Sequence, residues 1–115
     1  MSSTLYSLSV DTADAANLAR FWADALGRQV APGASAEFAA IDPAEGVPRL
    51  SFHQVPEPKS VKNRLHLDLV TTEFEAESER LTALGATPLN DVDKGTVRWT
   101  TFADPEGNEF DLVAG

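Results

Sequence analysis

The side chains best suited to chemistry are two histidines and the acidic residues near them. His66 stands two residues before Asp68 in the segment LHLDLVT, and Asp111 follows in the segment EFDLV. The sequence contains no cysteine, which excludes disulfides, thiolate catalysis and cysteine-bound zinc or iron-sulfur sites. Any metal ion would therefore be bound by His, Asp or Glu. A histidine or carboxylate in a cleft could instead act as a general base.

An internal repeat with an offset of 58 residues relates these side chains to each other. At this offset His53 corresponds to Asp111, and His66 corresponds to Leu8. The identical pairs are few, but they fall at helix ends and in last strands, which favours two modules of the same architecture. The pairs are Ala25 with Ala83, Leu26 with Leu84, Gly27 with Gly85, Phe52 with Phe110, and Val55 with Val113.

In the first half, the sequence predicts a strand, a helix and further short strands. Residues 4–10 alternate loosely between polar and apolar side chains, which indicates a strand. Asp14 can accept hydrogen bonds from free backbone N–H groups at a helix start, and Gly27 is suited to end that helix. Residues 28–58 are rich in Gly and Pro around apolar clusters, which predicts short antiparallel strands joined by turns.

The same order returns in the second half. Residues 65–71 predict a strand, and a helix capped by Thr72 and ended by Gly85 follows. Two strands around the turn DPEGN complete the chain. The sequence therefore predicts an α+β fold in which both halves have the same order of elements.

Composition narrows the classes of partner. The 115 residues include 9 basic and 18 acidic residues, for a net charge of −9, which disfavours binding to nucleic acid and to anionic membranes. No apolar stretch approaches the roughly 20 residues of a membrane helix, and the N-terminal residues do not resemble a signal peptide. We therefore expect a cytoplasmic protein with a small-molecule ligand.

The motifs, taken in order, resemble those of the glyoxalase, bleomycin-resistance and extradiol-dioxygenase superfamily, also called the vicinal oxygen chelate superfamily. They are Asp14 followed by FWADALG at 21–27, NRLHLDL at 63–69, ALGA at 83–86, and DPEGNEFDLV at 104–113. The set looks most like the small glyoxalase-like proteins. The resemblance implies an α+β fold of two βαβββ modules with curved mixed sheets and a cleft between them. It also implies one domain over residues 1–115, with modules at about 1–58 and 59–115, and homodimerisation.

The resemblance also implies a metal site built from the first and last strand of each module. His66 matches the family's histidine, Asp111 stands where the family usually has Glu, and His53 occupies a position that often holds a ligand. The fourth position is Leu8 by the repeat, or Ser7 by the family's spacing from Asp14, and neither is a usual ligand. Two imidazoles and one carboxylate suit Fe, Mn, Zn or Ni and leave room for a substrate with two neighbouring oxygens.

Three functions remain open at this point. The first is a metal-dependent lyase, isomerase or dioxygenase that uses His53, His66 and Asp111, although glyoxalase I activity itself is not expected. The second is a metal-free protein that binds a drug or metabolite, as resistance-type relatives do, with Trp99 as a candidate stacking surface. The third is a metal-free enzyme in which His66 or Asp111 is the catalytic base. Alternatively, His66 is a hydrogen-bonded core histidine and His53 a residue of the surface or pocket rim.

Overall fold

Two small mixed sheets and two helices make up the protein in a computed structural model that describes residues 2–115. The predicted α+β class is confirmed. The contacts divide the chain into two compact units, Met1–Pro58 and Lys59–Gly115. The elements in chain order are β1 (Ser7–Thr12), α1 (Ala15–Leu26), β2 (Phe38–Ile41), β3 (Arg49–Gln54), β4 (Leu67–Thr71), α2 (Phe74–Leu84), β5 (Thr87–Asp93), β6 (Arg98–Ala103) and β7 (Glu109–Ala114).

The first unit has a three-stranded sheet in the order β1-β3-β2, with β1 parallel and β2 antiparallel to β3. Helix α1 packs on one face of this sheet, where Leu50 and Phe52 of β3 are buried. Its own buried face includes Leu18, Phe21 and Trp22, as the helical spacing predicts. These apolar contacts form the core of the first unit.

The first unit differs from the predicted βαβββ pattern because its described residues form three strands and not four. Residues 28–37 lie between α1 and β2 without strand structure. Their backbone carbonyls serve the start of the helix instead: Ser35 and Ala36 accept hydrogen bonds from the N–H groups of Ala16 and Ala15. The segment meets β2 through isolated backbone hydrogen bonds, such as that from the N–H of Ala31 to the carbonyl of Ala40, and not through a strand ladder.

The predicted ends of α1 are confirmed. The Asp14 carboxylate accepts a hydrogen bond from the N–H of Asn17. Gly27 has φ 65°, a left-handed conformation that glycine adopts at little cost. The prediction for α2 was wrong at its start, because Glu73, and not Thr72, is the N-cap and makes no side-chain capping hydrogen bond. Gly85 ends α2 as predicted.

The second unit has a four-stranded sheet in the order β4-β7-β6-β5, with β4 parallel to β7 and the other pairs antiparallel. Phe102 and Phe110 stack with ring centroids 5.5 Å apart and are buried with Leu112. Helix α2 contributes Phe74 and Leu81 to the buried set. Side chains at alternate positions of β7, including Asp111, point to the opposite face, which we call the helix-free face of the second sheet.

Within residues 2–115, neither helix has the length and the apolar character needed to cross a membrane.

Candidate functional site

Three ligand-type side chains lie together on the helix-free face of the second sheet. Asp68 in β4 and Asp111 in β7 are direct partners in the parallel register. His66 precedes β4 by one residue and lies on the same side as Asp68, since side chains two apart in an extended chain share a face. The pairing of β4 with β7 therefore joins residues that are far apart in the sequence.

The geometry of this cluster is compact. The Nδ1 atom of His66 lies 2.9 Å from Oδ1 of Asp68. One ligand atom from each of His66, Asp68 and Asp111 can be chosen so that all three lie within 4.8 Å of one another. Thr101, the β6 partner of Asp111, donates its hydroxyl proton to Oδ1 of Asp111 over 2.6 Å. This contact fixes one oxygen of the Asp111 carboxylate and leaves its second oxygen for another partner.

The donor set of the cluster fits a divalent cation. One imidazole nitrogen and two carboxylates are ligands that Mn, Fe and Zn accept, and three protein ligands leave coordination positions for water or substrate. The side chains of His66 and Asp68 are 46% and 58% exposed, so an ion or small molecule can reach them from solvent. The same His66–Asp68 contact would also orient a histidine base, because a carboxylate on Nδ1 leaves Nε2 to accept a proton.

Asp68 and Thr101 are the residues that sequence reasoning did not assign to the site. Asp68 could have been found from its spacing, because residues 66 and 68 of a strand share a face. Thr101 could not, because its position beside Asp111 depends on the register of β6 against β7.

His53, the remaining predicted ligand, belongs to the first unit. It lies on β3 opposite Asp11 of β1 and Phe38 of β2. Its Nε2 is 3.3 Å from the hydroxyl of Ser51, and its ring meets that of Phe38 edge-on at 5.1 Å between centroids. His53 is exposed, as expected for a residue of a surface or rim, and its share in a metal site stays a prediction.

The sheet registers change which residue of the first unit corresponds to His66. Phe52 and Phe110 are equivalent in the repeat, and their partners on the first strands are Val10 and Leu67. The first strands are therefore offset by 57 residues and not 58, because the second unit has one more residue between this strand and the helix end. His66 then corresponds to Ser9, which corrects the predicted positions Leu8 and Ser7.

Ser9 does not supply a usual metal ligand, and its hydroxyl is already engaged. It lies 2.9 Å from the hydroxyl of Ser51, its direct partner on β3. Leu8 pairs instead with Leu50, on the face of the sheet that α1 covers. The first-strand position of the first unit thus carries a hydroxyl where the second unit carries an imidazole.

Trp99 lies on the helix-free face beside the cluster. It is a half-buried residue of β6, paired with Val113 of β7 and Val92 of β5. Lys94 places its Nζ 5.8 Å from the centroid of the Trp99 ring. Trp99 is partly exposed on this face of the sheet, so its ring could stack on a flat ligand. This role stays a prediction.

The basic residues that precede β4 have a structural role. Lys59 and Lys62 place their Nζ atoms 3.4 and 3.3 Å from the carboxylate of Glu109 at the start of β7. The same carboxylate accepts a hydrogen bond from the backbone N–H of Asn63, and this bond, with help from Lys62 and Lys59, lowers the pKa of Glu109 below its ordinary value. These contacts tie residues 59–63 to the second sheet.

Comparison with known proteins agrees with the fold. The sequence profile of the family described as "Glyoxalase-like domain" matches residues 7–113. Similar solved structures include a glyoxalase/bleomycin resistance protein/dioxygenase family enzyme from Burkholderia phytofirmans PsJN, with a TM-score of 0.77 and 20% identity over 97% of this chain and 98% of that one. The fosfomycin resistance protein FosX from Mesorhizobium loti has a TM-score of 0.75 and 14% identity over 100% of this chain and 93% of that one.

A third similar structure is a lactoylglutathione lyase from Agrobacterium tumefaciens, with a TM-score of 0.68 and 12% identity over 100% of this chain and 96% of that one. No curated protein sequence matches the chain. The profile match covers nearly the whole sequence, and the chain belongs to the glyoxalase-like domain family, within the vicinal oxygen chelate superfamily. Members of this superfamily include metal-dependent lyases, dioxygenases and antibiotic-resistance proteins.

Proposed function

We propose that the protein binds a small oxygenated organic molecule on the helix-free face of the second sheet, with the help of a divalent cation held by His66, Asp68 and Asp111. The observation that carries the proposal is the convergence of these three side chains, with ligand atoms within 4.8 Å of one another. Solved relatives named as a lactoylglutathione lyase and a fosfomycin resistance protein support an organic substrate of this kind.

The residues around the cluster suit such a site. Thr101 holds one oxygen of Asp111 in place, and supporting contacts of this type orient a metal ligand before the ion arrives. Trp99 and Val113 place apolar surface beside the polar cluster, which would hold the carbon skeleton of the substrate. A bound divalent ion would supply Lewis-acid polarisation of a substrate oxygen. The reaction class that fits is that of a lyase, isomerase or dioxygenase.

The direct test is metal analysis of protein purified without a histidine tag. We expect about one equivalent of Mn, Fe, Zn or Ni after metal loading and dialysis, and loss of this metal in His66→Ala and Asp111→Ala. Glu45→Gln, in the turn between β2 and β3, is a control that should keep the metal. A wild-type protein without stoichiometric metal after loading would overturn the proposal. The variant His53→Ala measures whether His53 adds a ligand.

A metal-free binding protein is the second candidate function. Its support is that the cluster already has internal partners: His66 contacts Asp68, and Asp111 accepts from Thr101. The presence of Ser9 where a fourth ligand would be expected also supports it. This candidate predicts that ligand affinity is unchanged by a chelator, whereas the metal-assisted proposal predicts its loss. A metal-free enzyme would instead lose turnover but not ligand binding in His66→Ala.

A further inference from the structure

A separate groove lies on the other side of the second sheet. It has a volume of about 700 Å³ and runs between α2 and the strands β5 and β6. Thr100 and Phe102 of β6 line it, whereas Thr101 between them points to the helix-free face. The groove is therefore distinct from the His66 cluster, and its volume falls in the range of about 300–1,000 Å³ that is usual for small-molecule sites.

Two polar atoms without hydrogen-bond partners belong to residues that line this groove. They are Oγ of Ser78 in α2 and Nε of Arg98 in β6, and they are the only buried side-chain N or O atoms without a partner between residues 2 and 115. Buried polar atoms in folded proteins nearly always have a partner, and an unpaired one costs about 1–3 kcal/mol. Both unpaired atoms of the described chain thus belong to residues that line the same groove.

Arg98 has three partners at this place. Its two terminal nitrogens donate to Glu75 over 3.0 Å and to Asp91 over 3.1 Å, and its guanidinium lies 4.4 Å from the centroid of the Phe74 ring. These three contacts orient the guanidinium, whereas its Nε–H has almost no accessible surface and is reached by an acceptor only after a small shift of the side chain. Such a donor pairs with an oxygen acceptor, and a neutral carbonyl oxygen is one that the carboxylates of the lining do not repel.

The charge around the groove selects the type of ligand. Glu75, Glu79 and Asp91 place three carboxylates at the lining, against the single guanidinium of Arg98. Glu75 and Asp91 pair with Arg98, whereas Glu79 is exposed and has no ion pair among the described residues. An anionic ligand would be repelled, and a cation would find its partner in Glu79. Leu89 and Phe102 supply apolar surface for the rest of the molecule.

We propose that this groove is a binding site for a small organic cation with an aromatic or aliphatic body and a carbonyl oxygen. After small movements of the Arg98 and Ser78 side chains, the carbonyl accepts from the Nε–H of Arg98 and from the hydroxyl of Ser78. The ammonium group pairs with Glu79, and the body covers Leu89 and Phe102. The site goes beyond the proposed function, since it needs neither the metal cluster nor the face that carries it.

The test uses three probes on one scaffold: 4-acetamidobenzylamine is cationic, acetanilide is neutral, and 4-acetamidobenzoate is anionic. Each is titrated into ¹⁵N-labelled protein with EDTA present, and amide chemical shifts report affinity and location. We expect the cation to bind at least about tenfold more tightly than the anion, with the neutral probe between them. The shifts should map to α2, β5 and β6. Equal affinity for cation and anion, or shifts confined to the helix-free face, would overturn the proposal.

Variants separate a binding role from a structural one. Ala83→Trp should fill the groove and abolish binding of the cationic probe. Ser78→Ala should lower the affinity for the cationic probe about fivefold, which corresponds to one lost hydrogen bond. Glu79→Gln should remove the preference for the cation over the neutral probe. The exposed residues Ser60 and Glu45 give matched controls, Ser60→Ala and Glu45→Gln, which should bind as wild type. Unchanged affinity in Ser78→Ala and Glu79→Gln would overturn the proposal even if Ala83→Trp does not fold.

Discussion

The Nδ1 atom of His66 lies 2.9 Å from Oδ1 of Asp68, and Asp68 is in turn the direct β-sheet partner of Asp111. Through these contacts His66, which the sequence predicted as a ligand, belongs to a cluster of three potential ligands on one face of the sheet. The same contacts make Asp68, which no motif singled out as a ligand, the residue that connects the other two.

Replacing Asp68 by Asn should weaken metal binding strongly. Asn keeps the size of the side chain and can still hydrogen-bond His66, but it removes a negative charge and a ligand oxygen. We expect a loss of at least about tenfold in affinity for Mn²⁺ or Zn²⁺, since even groups that only orient a ligand contribute on this scale. Titration calorimetry of metal-free protein measures this loss. Asp93→Asn, at the last residue of β5, is the matched control. Wild-type affinity in Asp68→Asn would exclude Asp68 from the metal site.

Replacing Thr101 by Val should disturb the site without removing a ligand. Val has nearly the same shape but no hydroxyl, so the 2.6 Å hydrogen bond to Asp111 is lost. We expect metal affinity to fall by about tenfold, since groups that orient a ligand contribute on this scale. Thr101→Ser restores the donor and should recover most of the affinity. If Thr101→Ser and Thr101→Val bind metal equally well, the hydroxyl has no positioning role.

Glu109 should make the folded protein sensitive to acid. Its pKa is lowered in the folded state, chiefly by the hydrogen bond from the Asn63 backbone N–H and further by Lys62 and Lys59. The stabilisation is therefore present above the unfolded-state pKa, near 4.3, and is lost as the pH falls through the lower folded-state value. Urea unfolding should show wild type more stable than Glu109→Gln at pH 7, with the difference shrinking as the pH falls below the unfolded-state pKa of the carboxyl group. A difference that stays constant with pH would contradict this assignment.

The two helix starts should respond to capping changes in opposite directions. Asp14→Ala removes a side chain that accepts from the Asn17 N–H and should lower the free energy of unfolding by about 1 kcal/mol. Glu73→Asp places a good capping residue where no side-chain cap exists and should raise this free energy by up to about 1 kcal/mol. Thermal unfolding monitored by circular dichroism measures both effects. A stabilising Asp14→Ala would contradict the capping role.

Much of the fold followed from local patterns. The helical spacing of Leu18, Phe21 and Trp22 predicted the buried face of α1, and Asp14 and Gly27 marked its ends. The absence of a fourth strand in the first unit was not predictable in this way, because it depends on long-range contacts of residues 28–37, such as those of the Ser35 and Ala36 carbonyls with the start of α1. These contacts join residues that are distant in sequence, so they form only when the unit folds.

The candidate site, like the fold, was predictable from the sequence only in part. Sequence alone determined that any metal ligand must be His, Asp or Glu, that His66 and Asp111 were the strongest candidates, and that the chain resembles the glyoxalase-like family. Only the tertiary structure decided that Asp68 and Thr101 flank Asp111 and that Ser9 is the counterpart of His66. The physical reason is that alternation along a strand fixes which face a side chain takes, whereas the register between strands distant in sequence depends on how both strands pack against the core.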